Sequence, residues 1–122
     1  MFYNTARLVA GLFFLYAGVM KIFGFAGVVG WITFMGYPMP ELLAVIAIVV
    51  EIVGGLALLA NRYVYAASFV LAGFTLLAGV MFHQFWAVSP EMVTNETNHF
   101  LKNIVIATGL LLVGETAKKQ NN

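Results

Sequence analysis

The chain has 122 residues, of which 62% are hydrophobic and 9% charged, with a net charge of +1 and no cysteine. Soluble domains run at about 45–50% apolar and about 25% charged residues, and one this short buries only about two thirds of the surface its unfolded chain exposes. The composition is therefore that of a membrane protein. The six basic residues are scattered rather than gathered on one face, which excludes a nucleic-acid footprint, and the missing cysteines exclude disulfides, thiolate metal sites and a thiol relay within the chain.

A membrane span needs about 20 predominantly apolar residues, and polar punctuation divides the sequence into four such stretches. The first is about 5–24, "TARLVAGLFFLYAGVMKIFG". Arg7, an apolar core and the small pair Ala17 and Gly18 have the layout of a secretory signal, but the apolar run continues past that point, so a retained span is expected. The next segment, "FAGVVGWITFMGY" from Phe25 to Tyr37, is too short to cross and carries three glycines, which suits a short interfacial helix or a re-entrant piece. The second span is about 39–60; Pro40 suits a first helical turn, and Glu41 sits where the helix dipole favours negative charge. The third is about 64–86. After a polar loop, "SPEMVTNETN", the fourth is about 98–114.

The expected fold is all-α: an integral membrane four-helix bundle in one domain spanning residues 1–122, with a short interfacial or re-entrant segment between its first two spans. Four spans place both termini and the Arg62 loop on one side, which collects Arg7, Arg62, Lys118 and Lys119 and so is expected to be cytoplasmic. Trp31 and Trp86 then fall at the outer interface and Tyr3, Tyr63 and Tyr65 at the inner one, where amphipathic rings belong.

The polar residues inside these spans are the candidates for a site. In the first span Arg7, Gly11, Phe14, Gly18 and Lys21 alternate at steps of four and three, forming one stripe on one helix face. Small residues let membrane helices approach closely, so the stripe should face into the bundle. The second span repeats the pattern with Ala44, Ile48, Glu51 and Gly55, flanked by Gly54. Glu51 lies about 18 Å along that helix at a rise of about 1.5 Å per residue, which is mid-membrane. An unpaired charge there costs at least about 2.5–3.5 kcal/mol, so Glu51 must be protonated, paired or hydrated. The third span adds Ser68, Ala72, Thr75, Gly79 and His83 on one face; the fourth opens with "NHFLKN", which brings His99, Lys102 and Asn103 within one turn.

Arg7, Lys21, Glu51, His83, His99, Lys102 and Asn103 thus form a candidate polar core, with Gly11, Gly18, Gly54, Gly55 and Gly79 as packing glycines. Arg7, Lys21 and Lys102 all remain open as partners for Glu51, which is equally readable as a structural ion pair or a working carboxylate. Lys21 and Lys102 also suit snorkelling to headgroups. Two histidines without a third ligand make no metal site.

With "RLVAGLFFLYAGVMKIFG", "PMPELLAVIAIVVEIVGGLALLANRY" and "HFLKN" in this order, the chain resembles the DoxX family of small four-helix membrane proteins over nearly its whole length. The resemblance implies a compact bundle in the cytoplasmic membrane. It also implies a part in quinone-linked sulfur oxidation, or in membrane redox and oxidative-stress complexes. More distant similarity to vitamin K epoxide reductase-like bundles would imply thiol chemistry, for which this chain has no cysteine.

Three functions are consistent with these residues. One is a non-catalytic or accessory subunit of a membrane oxidoreductase, with a quinone as its cofactor, Glu51 as its candidate catalytic group and Lys102 or His99 beside it. The second is a scaffold or assembly factor that docks a membrane or membrane-associated protein. The third is a small proton, ion or metabolite carrier working as an oligomer such as a homodimer, since no inverted repeat is visible. Membrane lipid is a partner in all three.

Overall fold

The structure, a computed structural model, describes residues 2–120. Among them are five α-helices and no strand: α1 (Tyr3–Phe23), α2 (Phe25–Phe34), α3 (Pro40–Ala60), α4 (Val64–Phe82) and α5 (Val93–Gln120), the last preceded by a 3-10 turn at Pro90–Met92. Four of these, all but α2, are long and apolar enough to cross a membrane. At about 1.5 Å per residue the 21 residues of α1 and of α3 match a hydrocarbon layer about 30 Å thick.

Local sequence explains where the helices stop. Gly24 alone separates α1 from α2; its N–H still bonds Met20 O and its carbonyl accepts from Val28, so the chain turns without losing backbone hydrogen bonds. Gly36, at φ +87°, ends the short helix in a conformation that side chains resist. Pro40 then starts α3 within its first turn. At the other end Asn61 adopts the left-handed conformation at φ 56°, a role for which Asn is the usual substitute for Gly, and the N–H groups of Asn61 and Arg62 return to Leu58 O and Ala57 O. Only three residues separate α3 from α4, which run antiparallel.

Two boundaries differ from the sequence expectation. α4 ends at Phe82, not near Trp86; His83 is its C-cap, and short turns through Phe85 and Ala87 follow. α5 begins at Val93 rather than Asn98 and continues to Gln120, so half of the expected polar loop is helix. Ser89 in extended conformation followed by Pro90 and Glu91 in the first turn is a helix start, and it initiates the 3-10 turn that leads into α5.

Close approach of backbones sets the packing. A Cβ on Gly55 would lie 2.7 Å from Leu15 N and 2.9 Å from Gly11 O; one on Gly11 would lie 2.9 Å from Leu59 Cγ, and one on Gly18 2.6 Å from Ile52 Cγ1. α1 and α3 therefore run antiparallel with their main chains nearly touching. Gly54 receives Leu71 of α4 at 2.8 Å, and α4 meets α5 through Gly79 against Asn103 and Gly114 against Ser68. α1 packs mainly on α3, and α4 mainly on α5; the two pairs join through α3 and α4, while α1 meets α5 only lightly. Phe14, Leu58, Val64, Leu71, Ala72, Ala107, Leu110, Val113 and Ala117 make the apolar core.

Candidate functional site

The lightly packed side of the bundle holds a cleft of about 670 Å³, lined by residues from all five helices. Its size falls within the about 300–1,000 Å³ of small-molecule pockets. The space exists because Ala17, Gly24, Gly27, Ala47 and Ala78 are small where larger side chains would fill it. Phe13, Phe14, Phe74, Phe82 and Trp31 give it aromatic walls, and its polar members are Lys21, Glu51, Thr75, His83 and Asn103.

Lys21 Nζ lies 2.8 Å from Glu51 Oε1. The register of α1 on α3 makes this pair: Gly18 packs against Ile52 and Glu51 Cβ, and Lys21 is three residues further along the same face. Glu51 is 4% exposed, whereas a third of the Lys21 side chain remains accessible. The contact is a salt bridge between the Lys21 ammonium and the Glu51 carboxylate. On the facing helix, Thr75 is 6% exposed and its Oγ1 has no hydrogen-bond partner. Its backbone carbonyl is occupied by Asn103 Nδ2 at 3.1 Å, which fixes α5 against α4 at this level.

The other candidate residues separate into two places. Arg7 does not reach Glu51. It sits at the opposite end of the α1–α3 pair, where Nη1 donates to the carbonyls of Leu58 and, at 3.2 Å, Leu59, and Nη2 lies 3.4 Å from Asn4 Oδ1. These are carbonyls of the last turn of α3, where few helical donors remain; Leu58 O also accepts from the Asn61 N–H. Arg7 is thus a cap for α3, with the Tyr3 ring 6.0 Å from its guanidinium.

His83, at the end of α4, places Nδ1 3.1 Å from Glu96 Oε2 and stacks its ring on His99 at 4.9 Å and 18°. Glu96 is buried and was invisible as a candidate while its segment read as loop; the helix start at Ser89–Pro90 was the signal that could have found it. Among the described residues no group of three or more His, Cys, Asp or Glu side chains is disposed to hold a metal ion. Tyr37, also outside the sequence candidates, donates its hydroxyl to Met81 O at 2.9 Å and accepts from Gln84 Nε2 at 3.2 Å, tying the α2–α3 connection over the end of α4.

Lys102 is not part of the polar core. It is exposed on the outside of α5, because one helical step of about 100° from the buried Asn103 turns it away from α4. The packing glycines Gly11, Gly18, Gly54, Gly55 and Gly79 all lie at helix contacts, and Gly114 joins them.

The comparisons with known proteins follow this geometry. The family model described as DoxX matches residues 3–84, a stretch that holds α1 to α4 and with them Lys21, Glu51 and Thr75 but not α5. The inner membrane protein YphA of Escherichia coli strain K12 is 31% identical over 111 residues, covering 91% of this chain and 79% of YphA. The inner membrane protein YqjF of the same organism is 33% identical over 112 residues, covering 92% of this chain and 81% of YqjF. No solved structure matches the chain. On the strength of the family match and of both relatives, this four-span membrane chain belongs to the DoxX family.

Proposed function

We propose that the protein is an accessory subunit of a quinone-linked membrane oxidoreductase and that the cleft receives the quinone head. The observation that carries this reading is a ligand-sized, aromatic-walled cleft at membrane depth with the Lys21–Glu51 pair in its wall. A planar ring suits aromatic walls, and an amphiphile can enter from the bilayer with its tail left in lipid. A carboxylate and an ammonium side by side supply an acceptor and a donor for a head that exchanges protons with its electrons. His83, hydrogen-bonded to Glu96, lines the same cleft and would link it to the bundle end. The electron donor in this reading is a membrane or membrane-associated partner protein.

A scaffold reading draws on a different observation. Arg7 directs both Nη groups onto partners within the chain, the carbonyls of Leu58 and Leu59 and Asn4 Oδ1, at a tightly packed helix contact, which is how a structural charge behaves. Mild-detergent purification from native membranes separates the two readings. A co-purifying quinone together with a redox partner supports the accessory subunit; partner protein without quinone, and no quinone binding on titration, supports the scaffold.

By the same argument the protein lies in the cytoplasmic membrane with both termini on the cytoplasmic side. Arg62 in the α3–α4 connection and Lys118 and Lys119 near the end of α5 are exposed at one end of the bundle. The chain has no cysteine of its own, so Lys119→Cys offers a unique thiol. It should react with a membrane-impermeant maleimide only after the membrane is opened; labelling of intact spheroplasts would reverse the orientation.

A further inference from the structure

The α3–α4 pair carries a second concave surface, which the proposed function does not use. It is a groove of about 400 Å³ that shares no residue with the cleft, and apart from Tyr63 every residue lining it is Gly, Ala or Val. The groove exists because Gly54, Ala57, Ala66 and Ala67 are small where the two helices run side by side. Its lining begins at Tyr63, beside the α3–α4 connection, and reaches Val49, which lies about 18 Å down α3 from Asn61. A hydrocarbon core about 30 Å thick has leaflets of about 15 Å, so the groove spans one leaflet.

Its dimensions decide between occupants. Spread over about 16 Å, the volume leaves a mean cross-section of about 25 Å². A helix about 10–12 Å across fills roughly 80 Å² or more, so a helix of a second copy is too wide, whereas one extended hydrocarbon chain fits. The mouth supplies the other half of a ligand. Of the exposed cations at this end of the bundle, Lys119 pairs with Glu115 and Lys118 lies over the Tyr65 ring, but Arg62 enters no salt bridge among the described residues. Its guanidinium fork matches phosphate oxygens. Tyr63, the next residue, is 82% exposed and held at φ 54°, a conformation that residues with a Cβ resist, and its ring lines the groove at headgroup depth. We infer that the groove binds one anionic phospholipid of the leaflet on the Arg62 side, with an acyl chain along α3 and α4 and the phosphate-bearing headgroup at Arg62 and Tyr63. The site stands apart from the quinone reading, since groove and cleft have no residue in common.

The test uses the full chain in detergent, stripped of co-purified lipid and given equal amounts of a phosphatidylglycerol and a phosphatidylcholine with the same acyl chains, with retained lipid read by native mass spectrometry. Both lipids offer the chain and the phosphate, but the choline brings a compensating cation. One basic residue near the surface corresponds to a preference of about fivefold for the anionic lipid, so the singly occupied chain should carry phosphatidylglycerol about five times as often. Arg62→Gln, in the connection between the helices, should bring the two lipids to parity without emptying the groove. Ala66→Leu, at an exposed position of α4, puts a larger side chain into the groove; it should cut retention of both lipids several-fold while the lipid-free protein melts as the wild type does. Equal retention of the two lipids by the wild type, a preference that survives Arg62→Gln, or unchanged retention in Ala66→Leu overturns the inference. A dimer that Ala66→Leu dissociates also overturns it, by assigning the groove to a second copy.

Discussion

The two ends of the α1–α3 pair carry one basic residue each on the same face of α1, buried Arg7 and half-buried Lys21, and they treat it in opposite ways. Arg7 lies beside the C-terminal end of α3, and its guanidinium is directed onto the last carbonyls of that helix. Lys21, four turns along, lies where α1 stands off from α4 and α5, and its carboxylate partner borders an open cleft. A charge on one stripe of one helix can therefore be a cap or a cleft-facing group, and the difference is whether the neighbouring helix fills the space beside it. Arg7 Nε, Ser68 Oγ and Thr75 Oγ1 are buried without hydrogen-bond partners, and of these three residues Thr75 lines the cleft.

The contrast can be broken most severely at the closed end. Gly55→Ala would push a methyl into the main chain of α1 at Leu15 N and Gly11 O, atoms that cannot rotate away. Overpacking of this kind costs about 1–3 kcal/mol, and the variant should melt well below the wild type in detergent and accumulate poorly. Next comes Arg7→Met, which keeps an unbranched side chain but strips the cap from α3. Taking the Arg7 donor from the Leu59 carbonyl costs about 1–3 kcal/mol, so the melting temperature should fall while any ligand affinity of the surviving folded protein stays unchanged; selective loss of binding would erase the distinction between the two ends.

Smaller effects sharpen the comparison from the other side. A Cβ on Gly109 meets nothing within 4 Å, so Gly109→Ala should be neutral or gain up to about 1 kcal/mol from helix propensity, in contrast with Gly55 only by packing. Lys102→Gln should change stability by less than about 0.5 kcal/mol, as expected for an exposed position away from the packed face, and should not alter binding. A marked loss there would return Lys102 to the polar core.

Much of the architecture was legible before any coordinates. Hydropathy and length revealed four spans, and the four–three stripe from Arg7 to Lys21 identified the face of α1 that enters the bundle. The pairing of Glu51 was not legible, because depth along a helix ranks candidates by height but not by rotation. Lys21 emerges as its neighbour only once Gly11, Gly18 and Gly55 fix how α1 sits on α3. Lys102 was grouped with Asn103 by closeness in sequence, although adjacent helical residues point about 100° apart. Glu96 was hidden by polarity: "SPEMVTNETN" looks like a loop by composition, yet Ser89 and Pro90 open a helix whose inner face carries Glu96 to His83. The cleft itself had no sequence signature, because a row of Ala and Gly reads equally as close packing or as space. Spacing places Thr75 on the inward face of its span with Ser68, Ala72 and Gly79, but the hydrogen bond its hydroxyl does not make has no sequence signature.

The central claim is that the Lys21–Glu51 end is built for a ligand and not for holding the helices together. Its most direct test is to measure, on the same Glu51→Gln preparation, the melting temperature and the affinity for a short-chain ubiquinone analogue. Lys21 is partly accessible and long enough to extend its ammonium toward the headgroups when its partner is neutralised, so the fold should persist. The account predicts a melting temperature within a few degrees of wild type and a loss of roughly tenfold or more in affinity. Unchanged affinity, or a collapse of the fold with binding lost only as its consequence, would contradict it.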